Sequence, residues 1–493
     1  MTLTTRSNPH LYEISAWPWL ERLSREGDTR LTLATVPGHE WDRFRDLGLD
    51  FVYLMGVWRR SVQGRLMART DPGLLAEYDQ VLPGWAMADV PGSPYCIQAY
   101  EPDARMGGWA GLDRARAELA RRGIGLILDF VPNHTGFDHE WITTRPELYV
   151  RGTLDDLRRA PERFHPIDAG DRLEVIACGR DPYFPAWRDV AQLNYFNPDT
   201  REAMIDVLQT IAQHCDGVRC DMAMLVLNDV FQQTWGSSVD LLWRQPDAEF
   251  WPEATRRCRP LSFLAEVYWD REFQLQQQGF DYTYDKRLLD RLHEGAAEAV
   301  RGHLRADPAY SSRLARFLEN HDENRAAAVF GSRAAAAAAV TFTIPGLRFF
   351  FDGQFEGARV RPPVQLGRWP VDPPDDATAE MYRRLLAFIN RPLLHDGSWR
   401  PLDVHGVDGS ESSLIASSWR LQDACAVVVA NIAQQGAEGY VQLSELPAGG
   451  AWVFTDHATK QTYRRTSADL SGGLHVWLDG GQAHLFTLQP THS

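Results

Sequence analysis

Apolar residues fall along this chain in short runs that alternate with stretches of helical spacing. Residues 11–17, 50–57, 124–129, 217–221, 262–266, 282–284, 315–320 and 347–351 read as eight strands. Helical stretches at 39–47, 111–122 and 198–214 stand between several of them, the last opened by the start signal Asn197-Pro198-Asp199. Strands alternating with helices predict a parallel sheet covered by helices and closed as a (β/α)₈ barrel. Two stretches break the alternation, 59–94 after the second strand and 135–195 after the third, the latter rich in Pro, Gly and charge. Loops this long are usually functional, and both leave from the same strand ends, so they are expected to wall a cleft. The alanine tract 334–339 stands where a barrel helix is due and is a strong helix former. Beyond Pro392 the runs 413–418, 424–431, 440–443, 451–455 and 475–478 are short and separated by Gly, Asp and Asn, which predicts an antiparallel β-domain. The expected organisation is a barrel from 1–134 and 196–392, an inserted loop-rich domain at 135–195, and a C-terminal β-sandwich at 393–493.

Four of the apolar runs end in polar clusters: Asp129 through Asn133 and His134, Arg219 with Asp221, Glu266, and Asn320-His321-Asp322. Burying charge is costly, so four such endings point to one shared cleft rather than to four stabilising devices. In a (β/α)₈ barrel that cleft lies at the C-terminal ends of the strands. At 493 residues the chain is long enough for a barrel and an additional domain. Its composition, 44% apolar and 24% charged, is that of a soluble globular protein. A net charge of −15 repels phosphate backbones and anionic lipid, which argues against nucleic-acid or membrane partners and tolerates a neutral sugar. Cys96, Cys178, Cys215, Cys220, Cys258 and Cys425 show no CxxC spacing, so no zinc site is indicated and free thiols in a reducing compartment are expected. The first thirteen residues lack an apolar core of signal-peptide length and no run reaches transmembrane length, which gives a cytoplasmic expectation.

Two acids and a helper at a barrel mouth suit glycosidic bond chemistry. A retaining glycosidase needs one carboxylate to attack the anomeric carbon and a second, about 5–5.5 Å away, to protonate the leaving oxygen. Arg219 precedes Asp221 by two residues, and residues i and i+2 share a strand face, so the guanidinium is expected to hold Asp221 ionised as a nucleophile. Glu266 lies between Phe263-Leu264-Ala265 and Val267-Tyr268, a desolvated setting that raises a carboxyl pKa and suits an acid/base. Asp322 would stabilise the transition state, with His134 and His321 donating to sugar hydroxyls.

These four segments, in this order, resemble the four conserved regions of the α-amylase family, glycoside hydrolase family 13. Asp129 with Asn133-His134 is similar to the first region, Gly217-x-Arg219-x-Asp221 to the second, Glu266 to the third and Asn320-His321-Asp322 to the fourth. Tyr95 and Tyr100 resemble the tyrosine pair that precedes the first region. Gln192-Leu193-Asn194 resembles a motif near the end of the family's inserted domain, and residues 344–354 its eighth strand. The resemblance spans roughly residues 10–390. It implies Asp221 as nucleophile, Glu266 as acid/base and Asp322 as transition-state carboxylate, with Tyr95, Asp129, His134, Arg219, His321 and Arg325 around the substrate. It also implies α-glucosides or maltooligosaccharides as substrates, and no obligatory cofactor.

The resemblance has departures. Ala99 stands where the family usually has Asp, and Met222-Ala223-Met224-Leu225 replaces the Lys-His of many α-amylases after the nucleophile. The tail Asp322-Glu323-Asn324-Arg325 is similar to that of oligosaccharide-processing relatives; Arg325 either closes the pocket toward exo action or caps the following helix from the surface. Asn133 is a calcium ligand in many members of the family, and a structural calcium here would need further oxygens, for which Asp168, Asp171 and Asp181 are the candidates. Glu319 is expected to face away from the cleft. Two alternatives stay open: phosphate-dependent glucosyl or maltosyl transfer, with Arg59, Arg60 and Arg65 as the anion site, and a catalytically inactive member of the family. Hydrolysis against transfer, linkage and oligomeric state are not fixed by these residues.

Overall fold

The computed structural model describes residues 6–168, 173–236, 241–406, 408–443 and 450–491. At its centre is a closed barrel of eight parallel strands: β1 His10–Ser15, β2 Phe51–Met55, β3 Gly125–Phe130, β4 Gly217–Cys220, β5 Ser262–Ala265, β6 Tyr282–Tyr284, β7 Leu314–Arg316 and β8 Leu347–Phe351. Each pairs with the next, and β8 returns to β1. The strands read as nearly continuous apolar runs because helices cover their outer face and side chains fill the interior. Two expected boundaries shift. Ala16 and Trp17 already open the helix Ala16–Glu26, and β7 ends at Arg316, so Phe317 to Asn320 lie beyond the ladder.

Strand register places the acids. Arg219 of β4 stands level with Asp129 of β3 and Leu264 of β5. One rung beyond the strands, the Asp221 N–H donates to Phe130 O at 2.9 Å and the Glu266 N–H to Cys220 O at 3.0 Å. Both carboxylates therefore rise from the barrel mouth on backbone that is still held by the ladder.

The first excursion is ordered locally. Trp58–Arg60 pairs with Ile97–Pro102, and two helices follow: Val62–Ala68, capped by the Ser61 side chain, and Pro72–Val81, capped by Asp71. Ala68, Tyr78, Leu82 and Val90 pack with Leu366 into a small separate core. Beside it Arg368 forks onto Asp89 at 2.8 and 2.6 Å. The excursion and the loop after β8 thus form one wall on the side of the barrel mouth. The second excursion, where the sequence shows little periodicity, holds a four-stranded antiparallel sheet in the order His134–Gly136, Trp187–Gln192, Leu173–Gly179, Phe164–Asp168.

Two antiparallel sheets follow the barrel. One has six strands in the order Ser398–Leu402, Leu414–Leu421, Ala424–Asn431, Ala483–Pro490, Ala451–Asp456, Thr462–Thr466; the other has Val404–His405, Ala437–Val441 and Leu474–Leu478. Alternation along Ala424–Asn431 sends Ala426, Val428 and Ala430 toward the barrel core, and Val427 and Val429 toward Val441 and Val476 of the smaller sheet. The helix Ala334–Phe342 lies against the barrel-facing side, with the Ala336 N–H donating to Gly481 O at 3.0 Å. Among the described residues, no helix is long and apolar enough to cross a membrane, and Cys96, Cys178, Cys215, Cys220 and Cys258 are buried free thiols.

Candidate active site

Arg219 is the hub of the barrel mouth. Its side chain is fully buried, with Nη1 2.6 Å from Asp221 Oδ1, and Nη2 2.8 Å from Glu266 Oε2 and 3.7 Å from Asp322 Oδ2. Nε donates to the Tyr284 hydroxyl at 3.3 Å, and the guanidinium faces the Tyr95 ring at 5.3 Å. The i, i+2 relation read from the sequence is thus a direct ion pair, and the same guanidinium reaches all three acids.

Glu266 is fixed from several sides. The Met222 N–H donates to Oε2 at 2.7 Å and the Tyr268 hydroxyl to Oε1 at 2.9 Å. Met222 reaches it by adopting φ of 41°, a left-handed backbone that non-glycine residues rarely take and that clusters at functional sites. Burial pushes the Glu266 carboxyl up; Arg219 opposes this, the charges of Asp221 and Asp322 add to it, and the result is about 7. Burial also raises Asp221, with Arg219 pulling the other way. The guanidinium therefore limits the rise at Asp221 rather than reversing it.

Asp322 behaves differently. Its side chain is 41% exposed, whereas Glu266 is 5% and Asp221 9% exposed. Burial would raise it, but His321 outweighs that effect, with help from Arg219, and the carboxyl sits at about 2. His321 Nε2 lies 2.9 Å from Asp322 Oδ2 and 2.6 Å from the Tyr95 hydroxyl. Its Nδ1 meets Glu13 Oε1 of β1. Burial disfavours a charged imidazole, yet Asp322 and Glu13 overcome it and hold His321 well above the ordinary histidine value. One mouth thus contains a carboxyl poised near neutrality and another kept ionised, an arrangement that separates acid from base roles.

The remaining sequence candidates divide. Tyr95 and His321 join the cluster. Asp129 lies beneath it, 1% exposed, with one oxygen taken by the Tyr53 hydroxyl and the other by the Gly56 N–H at 2.7 Å. It is a floor group, closed to a ligand, and the same holds for the fully buried Arg219. Gly56 has φ of 80°, and a Cβ there would meet Pro94 at 2.8 Å, so the turn that delivers its N–H needs glycine. His134 is held neutral, with burial lowering it to about 4, and packs edge-on to Trp187 at 5.5 Å. Tyr100 ties the end of β3, bonding Val131 O at 2.9 Å and Val131 N at 3.0 Å.

Two expectations need correction. Arg325 neither reaches the cleft nor caps a helix from the surface. It is 2% exposed, its Nη1 lies 2.8 Å from Glu319 Oε1 and 2.8 Å from Asp352 O, and its guanidinium is 4.3 Å from the Phe351 ring centre and 5.4 Å from that of Trp369. Glu319 itself caps the helix, accepting from the Ala326 N–H at 2.6 Å. Asn133 also differs from the expected calcium ligand. Its Oδ1 accepts from Gln192 Nε2 at 2.9 Å while its Nδ2 donates to Gln192 Oε1 at 3.2 Å, a reciprocal amide pair. Asp181 Oδ1 accepts from the N–H groups of Tyr183 and Phe184, Asp168 ends a strand, and Asp171 lies outside the described residues. Among the described residues, no group of three or more His, Cys, Asp or Glu side chains is placed to hold a metal ion.

The sequence reading passes over Glu13, Tyr268, Tyr284 and the Met222 N–H. Tyr268 carries a readable signal, since it shares the i, i+2 relation with Glu266. Glu13 carries a weaker one, an acid inside an apolar run.

No family model matches the chain. It is 28% identical over 277 residues to α-amylase MalA of Haloarcula japonica, covering 53% of this chain and 36% of that protein. It is 24% identical over 277 residues to α-amylase 3 of Dictyoglomus thermophilum, covering 52% of each. The match thus spans about half or less of the curated relatives' length. The fold is similar to that of a maltogenic α-amylase, AmyB from Thermotoga neapolitana, with a TM-score of 0.69, 19% identity, and coverage of 97% of this chain and 98% of that one.

Proposed function

We propose that the chain belongs to the α-amylase family, glycoside hydrolase family 13, as its similarity to curated α-amylases supports, and that it is a retaining α-glycoside hydrolase or transglycosylase acting on α-glucosides and maltooligosaccharides. The carrying observation is one guanidinium shared by Asp221 and Glu266 through neighbouring nitrogens. Such sharing keeps the two carboxyls close, which favours a retaining pair, about 5–5.5 Å apart, over an inverting pair at about 6.5–9.5 Å. Asp221 attacks the anomeric carbon as Glu266 gives its proton to the departing oxygen. Glu266 then takes a proton from water or an acceptor hydroxyl, which displaces Asp221. Asp322, ionised, stabilises the positive charge that develops on the sugar ring.

Two of the three arginines considered for phosphate are engaged elsewhere. Arg59 pairs with Glu101 at 3.0 Å, and Arg60 is buried over Trp17 and donates to Gly92 O at 2.5 Å. The cavity that Arg60 shares with His321 and Arg361 is about 10 Å³, room for one water and not for phosphate. These observations favour hydrolysis or transfer to a sugar over phosphorolysis.

The test is product analysis on sucrose, trehalose, maltose, maltoheptaose and starch, with and without phosphate. Release of α-configured products with no dependence on phosphate is expected. A rate that requires phosphate, or β-configured first products, would overturn the reading.

A further inference from the structure

Glu13 lies in the middle of β1, is fully buried, and belongs to none of the polar strand endings. Its Oε1 faces His321 Nδ1, and its Oε2 has no partner. A carboxylate in that position needs a cation, and the cation touching it is His321. The other nitrogen, Nε2, lies 2.9 Å from Asp322 Oδ2 and 2.6 Å from the hydroxyl of Tyr95, whose ring stacks on the imidazole. A neutral imidazole has one N–H; only the imidazolium donates from both nitrogens, and here each nitrogen faces a carboxylate. Glu13, Asp322 and Asp129 supply the anions near the ring, while Arg219 lies beside Asp322, and Arg60 and Arg361 line the small cavity beside His321.

We infer that Glu13 is a positioning residue for the reaction proposed above: it keeps His321 doubly protonated, so that Nε2–H holds Asp322 ionised and aimed across the mouth. The upward direction at His321 agrees with this geometry. Asp322 is the exposed partner and is expected to turn toward sugar when substrate enters. Glu13 is the enclosed one, and it maintains the imidazolium while Asp322 is engaged. Glu13 thus acts through His321 and touches no substrate.

The inference rests on the proposed function for its kinetic consequence but not for its structural one, and the two are read separately. In the full chain labelled with ¹⁵N-histidine, His321 is assigned by loss of its signals in His321→Gln. Both ring nitrogens of the wild type should remain protonated to pH 8. In Glu13→Gln, which keeps the shape and removes the charge, His321 should titrate at least about one unit lower. Glu13→Asp should restore the imidazolium in part. On maltose, Glu13→Gln should lose about tenfold in kcat at pH 8 and less than about threefold at pH 5.5, with KM little changed. A His321 that is neutral at pH 7 in the wild type, or one that titrates identically in Glu13→Gln, overturns the inference. If Glu13→Gln does not fold, the wild-type titration decides by itself. If no glycoside is cleaved, the proposed function falls while the histidine titration still decides the role of Glu13.

Discussion

Arg219 and Glu266, from neighbouring strands, meet at 2.8 Å in a site where neither side chain is more than 5% exposed. The same guanidinium binds Asp221 at 2.6 Å. Three charges in so dry a place are interdependent, and removing the single cation strands both acids. Arg219→Met should therefore lower kcat/KM on maltooligosaccharides by at least about a hundredfold and destabilise the protein by about 3–5 kcal/mol. Arg219→Lys, which restores a charge but cannot span two carboxylates, should fall between. Urea unfolding and initial rates check both effects; a variant of unchanged stability would contradict the shared-cation arrangement.

The Glu266 carboxyl sits at about 7, above its ordinary value of 4.5. As the acid in the first step it must carry its proton, so kcat/KM should decline as pH rises through about 7. Glu266→Gln should abolish that limb and retain relatively more activity on an activated aryl glycoside than on maltose.

The same carboxyl sets a stability profile. Its folded value lies above the unfolded one, so the stability linked to its proton is complete below about 4.5 and is lost as pH rises through about 7. A glutamine cannot ionise and escapes that loss. Glu266→Gln should melt about 1–2 °C above the wild type at pH 8, with the difference shrinking toward pH 5. Calorimetry at the two pH values measures it, and a difference independent of pH would count against the assignment.

Arg325 offers a contrast, because its partner Glu319 lies away from the acids. Arg325→Ala leaves Glu319 buried without a counter-charge and should cost about 3–5 kcal/mol of stability. The variant that remains folded at low temperature should keep wild-type KM for maltose. A selective rise in KM without loss of stability would restore Arg325 to the substrate.

The wall at the barrel mouth can be loosened at Asp89, which holds Arg368. Arg361 of the same loop donates to Asp322 O at 2.7 Å and lies 3.8 Å from Glu77 of the excursion. If this wall limits the sugars that fit beyond the scissile bond, Asp89→Ala should raise kcat/KM for maltoheptaose relative to maltose, by about threefold to tenfold. An unchanged ratio would separate the wall from chain-length selection.

The acids at the barrel mouth were legible because each ends an apolar run, where a charge has no structural excuse. The barrel was legible because parallel strands covered on both faces must be apolar. Glu13 was obscure for the opposite reason: it interrupts a run, and its partner lies 308 residues further on. Arg325 was misread because a sequence shows both charges of an ion pair but not that they close on one another. The strands that escaped notice in the six-stranded sheet include both of its edges, Ser398–Leu402 with Pro401 and the polar Thr462–Thr466. Edge strands carry proline and polar residues because they face solvent, which erases the apolar signature. Ala483–Pro490 lies inside that sheet, but its adjacent Leu485 and Phe486 face different cores, and so no simple alternation shows.

The helix Ala334–Phe342 is enclosed from Ala336 onward, and the Trp419 indole N–H reaches over it to Thr343 O at 2.5 Å. Its alanines act as a spacer whose thickness sets how closely the six-stranded sheet can approach the barrel. A leucine at Ala336 or Ala338 would act as a wedge, and a chain shortened at residue 392 would carry an apolar scar along its flank. Barrel and sheet share this seam, so neither can be grafted, trimmed or redesigned without the other.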